Sequence, residues 1–414
     1  MRSSTRYWPI HALLGWLNLV LTAPAIYLYL GLPLVMREHG WSGTAIGLFQ
    51  LAGIPALLKF VLATPIESLA LGRLRYRNWS MLLLLAYAMA LLGLAAHDIH
   101  APDQWGLFAL AMAASLLGTW ADIPVNALAI KYLPESERIR AGAVRSAATS
   151  LGAIVGGGLM LMVQIRAGWA WPFWILAGAL VSAVGLLLTL GKPVGVAPMN
   201  PLQAKVRIGW RQYLSYFSTP GHRAWLPLLL LYFPFIGAVW VYLKPLLLDH
   251  GFKPEDVAWI AGVLGGVLGA AGSLLGARLT RRWGIAIALP AFAFLSLVAV
   301  SLLALAVFNQ GPPVLLIAVT LLIALAMGAA AGLVFGLMMH HVRDSMTALD
   351  YGIQSSLFAL TRMLIPMFAG VLLDRLGYVS MLLSLAAGLL GVLLLVLHYR
   401  RAADLPMPML GTRG

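Results

Sequence analysis

The sequence predicts an all-α membrane protein with twelve transmembrane helices in two pseudo-symmetric six-helix bundles, and three observations predict it. The 414 residues are 61% hydrophobic and only 10% charged, whereas water-soluble domains carry roughly a quarter of charged residues. The apolar runs recur at lengths near the ~20 residues a helix needs to cross a bilayer. Motifs in the first half return in the second.

Hydropathy marks spans at 11–36, 43–70, 79–97, 105–129, 141–164, 171–190, 225–248, 257–277, 284–308, 313–338, 352–373 and 379–398. The first run is longer than a signal-peptide core and lacks a small-x-small cleavage site, so it is expected to remain as a helix. When loops are assigned to alternate sides, twenty of the 28 Lys and Arg fall on one side, including Arg2, Arg6 and the basic loops at 71–78 and 278–283. Retained cytoplasmic loops collect such cations, so both termini are expected in the cytoplasm.

The longest polar stretch separates six spans from six. The expected organisation is therefore an N-terminal bundle at 1–190, a cytoplasmic linker at 191–224 and a C-terminal bundle at 225–414. LGLPLVMREHGW from Leu30 is echoed by YLKPLLLDHGF from Tyr242, and GRLRYRNW from Gly72 by GARLTRRWG from Gly276. Two six-helix repeats account for both echoes.

Several function classes drop out. The net charge of +14 is spread over short loops between apolar runs, unlike the solvated basic face of a nucleic-acid binder. Without cysteine, there is no disulfide, thiolate nucleophile or thiolate metal site. No GxxxxGK[ST] loop occurs, and the histidines, His340 and His341 among them, sit in loops or near span ends rather than in a catalytic cluster. The chain is expected to be neither an ATPase nor an enzyme, and no cofactor or structural metal is expected.

Ionised side chains within hydrocarbon cost several kcal/mol by insertion scales, so they face partners or a watery cavity. Arg362 lies about ten residues into span 11, about 15 Å deep at ~1.5 Å per residue. It either binds or gates an anion, or pairs internally with another helix. Arg145, one turn into span 5, has the same two readings with easier access to the interface. Lys59 and Asp122 lie at similar depths in spans 2 and 4, either as a structural pair or with Asp122 exchanging a proton during transport. Lys244, near the outer end of span 7, is expected to snorkel. Tyr27, Tyr29, Trp120, Tyr232, Phe235, Trp240 and Phe335 supply aromatic faces in cavity-facing spans. Beside an excess of fixed cations these suit a flat, partly apolar anion, although packing or interfacial anchoring is the plainer role for most of them. The glycines of spans 5 and 8 allow close helix approach.

The two halves, the middle linker and the paired basic loops resemble the major facilitator superfamily across essentially the whole chain. At the end of span 2, before GRLRYRNW, Glu67 stands where that family places an Asp, which implies a gate acid. KFVLATPIE from Lys59, ADIPVNAL from Ala121 with the following PESER, and TALDYGIQ from Thr347 are similar to the branch of muropeptide permeases and acetyl-coenzyme A transporters. Muropeptide permeases commonly carry a second Asp in the span 4 segment, where this chain has Asn126, and they have extra terminal spans. At twelve spans with TALDYGIQ, the chain most resembles the RhtX/FptX siderophore permeases.

That resemblance implies import of an intact ferric siderophore, ferripyochelin first, through the bacterial inner membrane by alternating access. Proton coupling is expected, with an outer-membrane receptor acting upstream and iron arriving as cargo. A muropeptide or other anionic amphiphile is the alternative substrate. The expected substrate contacts are Arg362, Arg145, Tyr27, Trp120, Trp240 and Gln354, with Asp122, Lys59 and Glu67 in coupling or gating.

Overall fold

The computed structural model describes residues 7–32, 36, 50–72, 74–97, 104–191 and 208–401. Most of the Leu30 echo, Arg73, most of the linker and the C-terminal tail therefore lie outside the described residues. Among those described, the chain is helical throughout, without strands.

The helices are α1 (Trp8–Ile26), α2 (Lys59–Ser68), α3 (Arg75–Ala96), α4 (Gln104–Tyr132), α5 (Arg138–Ile154), α6 (Met160–Ala167), α7 (Ala170–Leu188), α8 (Trp210–Ser218), α9 (Pro220–Leu231), α10 (Pro234–Asp249), α11 (Gly265–Trp283), α12 (Ile285–Phe308), α13 (Pro313–His340) and α14 (Thr347–Arg401). Ten helical stretches among the described residues are long and apolar enough to cross a membrane. The last is divided at Gly377, whose φ of 78° and ψ of 176° break the helix, a backbone that glycine adopts without a Cβ clash. The described part of the second predicted span, Gln50–Leu58 continuing into α2, completes the set of twelve crossings. Large apolar side chains such as Met89, Ile165, Phe294 and Phe368 are exposed, as a lipid-facing surface requires.

Two compact units emerge, and each borrows a short segment from the other half of the sequence. Unit 1 comprises residues 1–134, 151–211 and 342–356; unit 2 comprises 135–150, 212–341 and 357–414. In unit 1, α3 packs against α4 and α7, and α1 against α7 and α4. Two π-helical turns, Tyr27–Gly31 and Val155–Leu159, meet where Gly156 lies against the backbone of Ala23 and Tyr27.

In unit 2 the central contact is α11 with α13. A Cβ on Gly272 or Gly328 would run into the opposing backbone at Leu325 or Gly269, so these glycines let the two helices touch main chain to main chain. Ser273 donates to the carbonyls of Gly269 (2.8 Å) and Gly328 (3.0 Å), and is linked to Ser146 at 2.8 Å. Buried hydroxyls elsewhere donate back along their own helices, as Ser80 does to Tyr76 and Ser296 to Phe292, which satisfies them without water.

Candidate functional site

Unit 1 places α2 beside α4 and thereby joins two of the sequence-predicted residues. Lys59 Nζ lies 2.5 Å from Oδ2 of Asp122, both side chains mostly shielded at 14% and 15% exposure. Asn126, one turn along α4, donates its Nδ2 to Oδ1 of Asp122 at 2.9 Å and to the Asp122 carbonyl at 2.7 Å. The amide occupying the second Asp's place thus serves the first, fixing the carboxylate from the side that Lys59 leaves open.

At the end of α2, Glu67 is buried and accepts four hydrogen bonds. Arg75 approaches Oε1 at 3.2 Å, Tyr76 reaches Oε1 at 3.0 Å and Oε2 at 3.3 Å, and the backbone N–H of Ala348 donates to Oε2 at 2.8 Å. Ala348 sits in the first turn of α14, where N–H groups have no intrahelical acceptor and a negative charge is favoured. Segment 342–356 is held against α2 further along: the N–H of Phe60 donates to Ser356 Oγ at 3.1 Å, and Gly352 leaves no room for a Cβ beside Ala63 and the Lys59 carbonyl. Within the segment, Arg343 grips the fully buried Asp350 through its guanidinium at 2.6 and 2.9 Å and its own N–H at 2.8 Å. Lys131 donates to the Asp344 carbonyl at 2.8 Å.

Unit 2 repeats the theme at the start of α5. Glu137 is buried and pairs with Arg140 at 2.7 Å, while Arg281 of the basic motif in the last turn of α11 lies at 3.9 Å. The echo between the two basic loops is therefore also an echo in what they hold: one buried glutamate each.

Deeper in unit 2, Arg145 lies over the ring of Phe335, its guanidinium carbon 4.5 Å from the centroid. Phe335 leads edge-on to Phe358 at 5.5 Å, and Phe358 to Phe233 at 5.3 Å. Arg362, one turn beyond Phe358 on α14, stands close enough to Arg145 for the two charges to repel. Arg362 is exposed and has neither an ion pair nor a hydrogen bond with another described residue. A guanidinium so deep in a span faces lipid only at a large penalty.

The remaining predicted contacts have varied surroundings. Tyr27 is fully buried, donates to Gln164 and meets Phe173 edge-on at 5.4 Å. Trp120 is half-buried beside Trp79 at 5.8 Å, and its Nε1–H has no acceptor among the described residues. Trp240 lies over Gly265 at the start of α11. Gln354 is fully buried in segment 342–356. Lys244 is exposed near the end of α10. The roles of Asp350, Arg343, Ser356 and Phe358 were missed from sequence. A buried acid near a helix start, beside a basic residue seven positions earlier, was the available signal for Asp350. Among the described residues no cluster of three His, Cys, Asp or Glu is placed to hold a metal ion.

Helices long and apolar enough to cross a membrane, with pairs of charges held between them, are the architecture of a membrane transporter. The chain belongs to the Major Facilitator Superfamily, whose sequence profile matches residues 13–366. The anhydromuropeptide permease of Escherichia coli K12 is 26% identical over 411 residues, spanning 90% of this chain and 79% of that protein. The fold resembles the E. coli fucose:proton symporter, with a TM-score of 0.73, 18% identity and coverage of 95% of this chain and 99% of that one. It also resembles a bacterial homologue of the iron transporter ferroportin in an outward-facing state, with a TM-score of 0.70, 15% identity and coverage of 95% and 99%.

Proposed function

We propose that this chain imports a flat, anionic amphiphile through the bacterial inner membrane by alternating access, and that the substrate is a ferric siderophore of the ferripyochelin kind. The observation that carries the reading is the Arg145 and Arg362 pair, with Arg362 lacking an acid partner among the described residues. Two guanidiniums within each other's field are held apart only at a cost, and an anion entering between them converts repulsion into attraction. Aromatic faces beside the cations, Phe335 among them, suit a planar ligand.

Asp122 is the coupling acid in this scheme. Deprotonated, it holds Lys59; on protonation it releases the lysine, and α2 and α4 lose the contact that joins them. Glu67, capping the start of α14, latches the end of unit 1 that lies on the cytoplasmic side in the proposed topology, with both termini cytoplasmic.

Accumulation of radioactive iron supplied as ferripyochelin, in cells with and without the chain and with and without a protonophore, tests the reading. Uptake that needs the chain and collapses with the protonophore supports it; uptake indifferent to the chain rejects it. A second reading, muropeptide import, is favoured by the anhydromuropeptide permease relative, whereas Asn126 in place of the second Asp weakens it. Labelled anhydromuropeptide taken up by the chain, with no iron accumulation, would select it.

A further inference from the structure

We propose that Phe335 is a positioning residue whose ring fixes the guanidinium of Arg145, so that Arg145 and Arg362 act as one two-pronged site for a carboxylate or phenolate of the ligand. This rests on the anion reading of the pair given above.

The ring lies beneath the guanidinium at 4.5 Å, a distance at which the negative face of an aromatic attracts a cation. Phe335 is buried and braced by Phe358 and then Phe233, so the platform is rigid. Phe358 also precedes Arg362 by one turn of α14, where residues four apart share a helix face. One aromatic column therefore sets the places of both cations: Phe335 carries Arg145 directly, and Phe358 anchors the turn that carries Arg362. Without the ring, the Arg145 guanidinium loses the contact that sets its plane, and repulsion from Arg362 acts on it less opposed. The anion would then lose one of its two donors, and bidentate recognition depends on both being placed in advance.

The test uses the full-length protein in liposomes, with ferripyochelin as the transport probe and phenylglyoxal labelling of Arg145, read by mass spectrometry, as a ligand-free probe. Phe335→Met keeps the volume and removes the ring; Phe335→Tyr keeps the ring. The expected result for Phe335→Met is a KM about 3- to 10-fold higher, by the usual strength of a cation–π contact, with kcat unchanged and Arg145 labelled faster. Phe335→Tyr should retain the wild-type KM and labelling rate. Phe335→Met combined with Arg145→Gln should be no worse than Arg145→Gln alone, since the platform acts only through the guanidinium.

A fall in kcat at unchanged KM, unaltered labelling of Arg145, or effects that multiply in the double variant would overturn the proposal. Should Phe335→Met not fold, Phe335→Leu takes its place under the same criteria. If the wild-type chain transports no ferripyochelin, the substrate reading fails while the labelling still decides whether Phe335 positions Arg145.

Discussion

Lys59 Nζ stands 2.5 Å from Asp122 Oδ2 although 63 residues separate the two in sequence. Removing one member of a fully buried pair costs about 3–5 kcal/mol, and less here because both groups keep some exposure. Lys59→Gln and Asp122→Asn are each expected to lower the melting temperature in detergent, and the double variant to regain most of it. If Asp122 also carries the proton, the double variant will be folded yet unable to accumulate substrate against a gradient. Recovery of protonophore-sensitive accumulation in the double variant would reduce the pair to a strut.

Arg362 is predicted to act in binding rather than in packing, because it is exposed and makes no hydrogen bond among the described residues. Hydrogen bonds to charged groups contribute about 1.5–3 kcal/mol, so Arg362→Ala should weaken ligand binding by about 10- to 100-fold. Its melting temperature should stay at the wild-type value. Arg362→Lys should recover only part of the loss, since an ammonium lacks the planar fork. Titration calorimetry with the purified protein measures both, and a wild-type affinity in Arg362→Ala would exclude a ligand contact.

Glu67 accepts from Ala348, Arg75 and Tyr76, so Glu67→Ala should release the start of α14 from α2. The chain has no native cysteine, which makes a single introduced one an unambiguous reporter. Ser356→Cys is expected to react slowly with a maleimide in the wild-type background and several-fold faster with Glu67→Ala. Equal rates would show that the carboxylate does not hold the segment.

Gly352 has Ala63 Cβ and the Lys59 carbonyl each 2.8 Å from where its own Cβ would stand. Overpacking of this kind typically costs about 1–3 kcal/mol. Gly352→Ala should therefore lower thermal stability and, by pushing α14 off α2, also speed labelling at Ser356→Cys. An unchanged melting temperature would mean that the two helices part at no cost.

The membrane spans were legible because hydrocarbon tolerates so few residue types, and Lys59 and Asp122 were legible because a charge in such a run stands out against it. Depth along a helix can be counted, which is why the sequence already allows their pairing. The contact of Arg145 with Phe335 was not legible: it joins α5 to α13 across 190 positions, and phenylalanine in an apolar helix carries no mark. Nor was the exchange of segments 135–150 and 342–356 between units. PESER and TALDYGIQ stood out as motifs, but hydropathy is blind to which neighbour a helix end prefers.

The bond from Ala348 to Glu67 spans 281 positions, and this bears on how the protein is made. At roughly 5–20 residues per second, between about 14 and 56 seconds separate synthesis of the carboxylate from synthesis of its main-chain donor. The first-made helices therefore enter the bilayer as an unfinished bundle. A chain arrested before residue 348 would leave Glu67 without its main-chain donor, so this part of unit 1 closes only when the start of α14 has been made.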